Sequence, residues 1–229
     1  MAVCCRTILI NKQIAHKKTY YSLENCRAAL KRVYDYAIKY DYADYLDISE
    51  APAGEKKEKH PFTDEQRQQL WDSHESYMEK LALVLMYTGL RRAEIANLKK
   101  DDIDIDQKLI NIKASKTDAG VRVVPICDRI YPLFKEIYDG SSVYFIENRF
   151  GKKYTTRGID KTFSEVMDKL GYNRDLHKCR HTLATMLDNK DAKPLIAKKI
   201  MGHKIADATS GVYTHKTLDQ LRETMNLLD

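Results

Sequence analysis

The stretch YMEKLALVLMYTGLRRAEIAN, residues 77–97, decides how the chain is read. Residues 77–88 are a strongly apolar run, a short buried-helix candidate. Gly89 stops it, because glycine takes the left-handed backbone that closes a helix at low cost. Residues 92–99 begin another helical pattern. Arg91 therefore stands at a helix entry, where backbone N–H groups favour an anion and a guanidinium can grip two phosphate oxygens. Glu94, three residues on, shares a helical face with Arg91 and can hold it in place. The same residues also read as a glycine cap with a surface ion pair, so this stretch fixes a helix and leaves its chemistry open.

Working outward, Thr63 and Gln66 have the spacing of a capping box that opens a helix containing Leu70 and Trp71. Residues 49–60, SEAPAGEKKEKH, hold Pro52, Gly54 and a charged cluster between two helical patterns, which is how a domain boundary reads. The expected division is a helical unit at 1–50, a linker at 51–60 and a larger domain at 61–229. In the first unit, residues 22–42 carry a helical stripe at Leu23, Cys26, Leu30, Val33, Ala37 and Ile38. Downstream, residues 109–112 and 121–124 read as strands joined through 113–120, with Asp118 and Gly120 in the turn. Residues 143–146 are a candidate third strand. Helices follow at 156–170, 176–188, 194–201 and 217–228. The last is amphipathic through Leu218, Leu221, Met225 and Leu228. The fold class is mainly α with a small antiparallel β-sheet (α+β).

Composition limits the function classes. The chain has 229 residues, 43% hydrophobic and 31% charged, as ordinary globular proteins do. No apolar run reaches the roughly 18 residues of a membrane span, and the N-terminal apolar stretch is too brief for a secretory signal. The five cysteines show no CxxC and no spacing logic, which points to reduced thiols in a cytoplasmic protein. The net charge of +6 is unevenly placed, because residues 107–200 carry 19 basic and 11 acidic side chains. That excess fits a polyanionic partner and equally fits a solvated lysine-rich surface.

Three further groups carry chemistry. In LHKCRH, residues 176–181, an apolar stripe runs through Leu176, Cys179, Leu183, Met186 and Leu187, with His177 and Arg180 on the neighbouring flank. His177 and His181 also have the i, i+4 spacing of helical zinc ligands, but no carboxylate or second cysteine nearby completes such a site. Met201-Gly202-His203 is followed ten residues later by Tyr213. A tyrosine with a pKa of about 10 pays roughly 4 kcal/mol to become a phenolate at pH 7, so a nucleophilic role requires a base or a cationic pocket. Lys116 lies in the strand connection, where it is either solvated or delivers a proton into a groove, and Lys113 competes for that role.

Taken in order, Arg91 with Glu94, Lys116, His177-x-x-Arg180, Gly202-His203 and Tyr213 closely resemble the tyrosine recombinases, the phage integrase family, over roughly residues 60–229. Integrases of phages and conjugative transposons look like the nearest relatives. The resemblance implies a tyrosine-recombinase catalytic-domain fold at 61–229. It is preceded by a partial helical core-binding domain, which reads as N-terminally shortened. It implies strand exchange without metal, ATP or other cofactor. Tyr213 attacks the scissile phosphodiester, giving a 3′-phosphotyrosyl intermediate and a free 5′-hydroxyl. Arg91, Arg180 and His203 hold the phosphate, Lys116 protonates the leaving oxygen, His177 acts as base or organiser, and Glu94 orients Arg91. The implied partner is double-stranded DNA at an attachment-site core, bound by a tetramer that is monomeric when free, with room for a directionality factor. The implied setting is the cytoplasm of a bacterium, from a phage or mobile element. The C-terminal helix would dock on a neighbouring protomer, or else on its own domain. Three other functions fit parts of the pattern. They are an idle DNA-binding remnant, a metal-dependent nuclease built on His177, Cys179 and His181, and a type IB topoisomerase-like relaxer.

Overall fold

A computed structural model describes residues 20–42, 60–113, 120–172, 174–203 and 215–228. The chain divides into two units, residues 1–58 and 59–229. The first unit carries helix α1 (Tyr20–Lys39). Leu30 and Val33 of its stripe are exposed, and Ala37 and Ile38 are half-buried.

The second unit is built round the apolar run. Helix α2 (Asp64–Ser73) starts at the Thr63–Gln66 capping box, in which each residue's side chain accepts from the other's backbone N–H. Helix α3 (Tyr77–Thr88) has its own box from Ser76 and Glu79 and ends at Gly89, whose φ of 62° is left-handed. From Leu81 to Thr88 every side chain is buried. Such a helix must be covered on all sides, and it is. It packs chiefly on α7 (Leu176–Asn189), and also on α2, α5 (Tyr131–Asp139) and α6 (Thr156–Lys169). The short α4 (Arg92–Asn97) packs on α6. The entry to this unit is pinned to α7, where the Phe62 N–H donates to the Thr182 hydroxyl at 2.9 Å.

The sheet has three antiparallel strands, β1 (Ile103–Asp104), β2 (Leu109–Ile112) and β3 (Arg122–Pro125), in the order β1-β2-β3. Its register pairs Ile110 with Val124 and Ile112 with Arg122. Because side chains alternate across a strand, Arg122 shares the buried face with Val124. Residues 143–146 are not the third strand that their composition suggests. They form only an isolated bridge, Lys99 to Tyr144, and β1 takes the edge instead. The reason is local: Glu147 accepts from the backbone N–H groups of Ser142, Val143 and Tyr144, curling the segment into a turn. Helix α5 has an apolar side at Leu133, Phe134 and Ile137 that the sequence pattern did not single out.

Helix α8 (Pro194–Met201) begins with proline in its first turn and ends at Gly202, again left-handed at φ 62°. Helix α9 (His215–Asn226) lies against α8 and β3, burying Leu221 and Met225, with Leu228 buried just beyond it. Its apolar stripe is therefore satisfied within its own chain, and Arg222 donates to the Gln107 carbonyl at 3.0 Å.

Candidate active site

Two helix ends meet at the site. A Cβ added to Gly89, after α3, would lie 2.5 Å from Leu183 Cδ2 and 3.2 Å from the sulfur of Met201, the last residue of α8. Both termini present backbone carbonyls that have no partner within their helices, the negative ends of two helix dipoles. Three arginines occupy them. Arg122 Nε donates to the Ile200 carbonyl at 2.7 Å, Arg180 NH2 to the Met201 carbonyl, and Arg91 NH2 to the Gly202 carbonyl at 2.6 Å. Successive carbonyls at the end of α8 thus hold one guanidinium each.

The remaining contacts differ. Arg180, 5% exposed on α7, has no carboxylate ion pair among the described residues and uses NH1 to bond the Gly89 carbonyl at 2.6 Å. It bridges the two helix ends, whose dipoles offset part of the cost of burying a cation. Burial, followed by the charges of Arg91 and Arg122, pulls its pKa down to about 10, which leaves it protonated at neutral pH. Arg91 caps α4 with extended backbone, and its NH1 donates to Glu94 Oε1 at 2.7 Å. Glu94, 8% exposed, also receives the Arg91 backbone N–H at 2.8 Å and both terminal nitrogens of Arg122, at 2.9 and 3.0 Å. Burial alone would raise the Glu94 pKa. The hydrogen bonds and charge of Arg122, and then those of Arg91, overcome it and hold the carboxyl at about 2. Among the described residues one carboxylate faces three guanidiniums, an excess of positive charge.

His203 follows Gly202 at the edge of this field and is exposed. Partial burial, then the charges of Arg180, Arg91 and Arg122, lower its pKa below the usual value, favouring the neutral imidazole. His177 is also exposed, one turn before Arg180, and its ring meets His181 edge-on at 4.5 Å. Arg180 lies deeper than the flank position its spacing suggests. Lys113 pairs with Asp102 at 2.7 Å. Lys116 and Tyr213 lie outside the described residues. Cys179 is fully buried and its thiol pKa is pushed up by burial. Among the described residues no three His, Cys, Asp or Glu side chains are grouped to hold a metal ion, so His177, Cys179 and His181 do not converge.

Residues 60–219, more than half of the chain, match the phage integrase family. The chain belongs to that family. Tyrosine recombinase XerA of Thermococcus kodakarensis is 33% identical over 152 residues, 63% of this chain and 53% of that protein. Tyrosine recombinase XerC of Staphylococcus carnosus is 29% identical over 164 residues, 66% and 54% of the respective chains. The chain thus spans about half the length of the curated relatives it matches. Among solved structures, the Tn1549 transposon integrase in complex with circular intermediate DNA aligns over 93% of this chain and 77% of its own, with TM-score 0.73 and 21% identity. A lambda integrase tetramer bound to a Holliday junction aligns over 90% and 65%, with TM-score 0.68 and 16% identity. These likenesses establish a tyrosine-recombinase fold.

Within this integrase-family fold, the residue that the motif reading passes over is Arg122. One signal was available in the sequence. Residues 121–124 alternate as a strand, and Arg122 falls on the same side as Val124, an odd place for a cation with nothing to pair with.

Proposed function

We propose that the chain acts as a site-specific DNA recombinase that cleaves and rejoins strands through a 3′-phosphotyrosyl intermediate, integrating or excising a mobile element. The observation that carries this reading is the set of guanidiniums from three distant segments on adjoining helix-end carbonyls. Arg91 and Arg180 each use two terminal nitrogens on protein acceptors, and each keeps further N–H donors for the nonbridging oxygens of one phosphate. Donors fixed before the reaction stabilise charge that grows in the pentavalent transition state without reorganising. His203 adds a hydrogen bond to the same phosphate.

On this reading Tyr213 is the nucleophile. The cationic field lowers the cost of its phenolate, and His177 serves as base or organiser. Lys116 protonates the departing 5′ oxygen. In the reverse step a 5′-hydroxyl attacks phosphorus, the phosphodiester re-forms and tyrosine leaves. Bond energy is conserved, so the exchange consumes no nucleotide. Residues 1–50, with the exposed side of α1, are assigned to DNA contact as the partial core-binding domain, ahead of a linker at 51–60 and a catalytic domain at 61–229. The partner is an attachment-site duplex bound by four protomers, with a directionality factor acting on the assembly, in a bacterial cytoplasm.

A library of nicked duplexes with a randomised core tests the reading. Incubation with the chain is expected to yield an SDS-resistant covalent adduct that Tyr213→Phe abolishes. Retention of DNA with no adduct at any concentration would make the chain an idle binding remnant. Adducts lost on adding EDTA would overturn the metal-free chemistry.

A further inference from the structure

Arg122 is 2% exposed, sits on the inner face of the sheet opposite Ile112 and is one of the few buried charges in the fold. Its hydrogen bonds reach three parts of the site. Nε bonds the Ile200 carbonyl at the end of α8, NH1 bonds the Gly120 carbonyl at 2.9 Å, and NH1 and NH2 bond the two oxygens of Glu94. Gly120 is the residue at which the connection carrying Lys116 re-enters the described structure. An apolar side chain would fill an inner-face position at lower desolvation cost, so stability alone is a poor reason for an arginine here. The bidentate geometry instead fixes both oxygens of Glu94, leaving Oε1 aimed at the Arg91 guanidinium and Oε2 at the Arg91 backbone N–H.

We propose that Arg122 is a positioning residue for strand cleavage: it locks Glu94, and through Glu94 the phosphate-facing Arg91, and ties that lock to the strand connection and to the end of α8. The proposal rests on the recombinase reading, because only a reaction at a phosphate gives Arg91's orientation its value. Arg122 is too deeply buried to touch DNA. It acts through Arg91 and is not itself catalytic.

The groups that face Glu94 set the expected signature. They are Arg91 from the entry of its own helix, Arg122 from β3 and Arg180 from α7. From α6, which packs on α4, Asp160 is taken up by Arg92 at 2.5 Å. With Arg122 removed, burial dominates and the Glu94 carboxyl moves up toward the range where it protonates and releases Arg91.

Arg122→Gln is therefore expected to slow single-turnover adduct formation on the selected nicked duplex by about a hundredfold, with half-saturating DNA concentration unchanged within about twofold. The ratio of variant to parent rates should fall further as pH drops from about 8 to about 5, and Glu94→Gln on the same background should flatten that ratio. Arg122→Lys, which keeps the charge but loses the fork, should lie between and serves if Arg122→Gln does not fold. A loss of thermal stability with unchanged rate and unchanged pH ratio would overturn the proposal, as would additive losses in the double variant. Titration of the 13C-labelled Glu94 carboxyl and the Arg91 Nε–H resonance, read without DNA, separates the two layers. If the parent chain forms no adduct, the recombinase reading falls. The positioning claim then stands or falls on whether Arg122→Gln raises the Glu94 titration and shifts the Arg91 signal.

Discussion

Helices α3 and α8 end in the same way and are used differently. Each stops at a glycine with φ of 62°, and each end accepts from Arg180. At Gly89 the space is closed, since an added Cβ would press on the fully buried Leu183. The glycine there serves packing as well as backbone geometry. The end of α8 instead hands out carbonyls to Arg122, Arg180 and Arg91 in turn, and its chain runs straight on into His203. One cap is part of the core and the other is part of the site. A shared motif thus reveals little about its role until its surroundings are known.

The largest test of that difference compares the two arginines proposed to hold the phosphate. Arg91→Ala and Arg180→Ala are each expected to cut adduct formation by about 10²–10³-fold. Only Arg180→Ala should also lower the melting temperature substantially, because its side chain is buried between the two ends and Arg91 is more open. Equal stability losses would show that the ends are not distinct.

The Glu94 carboxylate gives the next effect. Its folded pKa of about 2 lies below the ordinary 4.5, so its contribution is fully present above pH 4.5 and is lost as pH falls toward 2. The shift corresponds to roughly 3 kcal/mol. Urea unfolding of the parent chain and Glu94→Gln across that window should show the difference shrinking with acid.

The glycines themselves give the smallest effects. Gly89→Ala combines left-handed strain with the Leu183 contact and should cost roughly 2 kcal/mol, of which the left-handed strain that Gly202→Ala shares is roughly 1 kcal/mol. Thermal melts measure both. Adduct kinetics should rank them the other way, with Gly202→Ala the slower enzyme.

Much of this was legible in the sequence because helix ends are written locally. Gly89, Pro194 and the Thr63–Gln66 box each fix a boundary from side chains within a few residues. Residues 143–146 misled because their apolar character was stronger than the single acidic side chain that turns them. Arg122 was hidden for the opposite reason. Its partner carboxylate is 28 positions away, and no local pattern marks that pairing. The depth of Arg180 likewise depends on two carbonyls supplied by α3 and α8, which sequence spacing on α7 does not encode.

The dual attachment of Arg180 bears on how such genes decay. On the proposed function, a side chain that joins two helix ends should not drift freely when selection for cleavage ends, because its bonds to both ends also serve the fold. Degenerate copies should shed exposed groups such as His177 and His203, and with them the positioning Arg122, while retaining Arg180. In surveys of relatives, an intact Arg180 then marks a chain that folds, and Arg122 with the exposed histidines is the better record of one still in use.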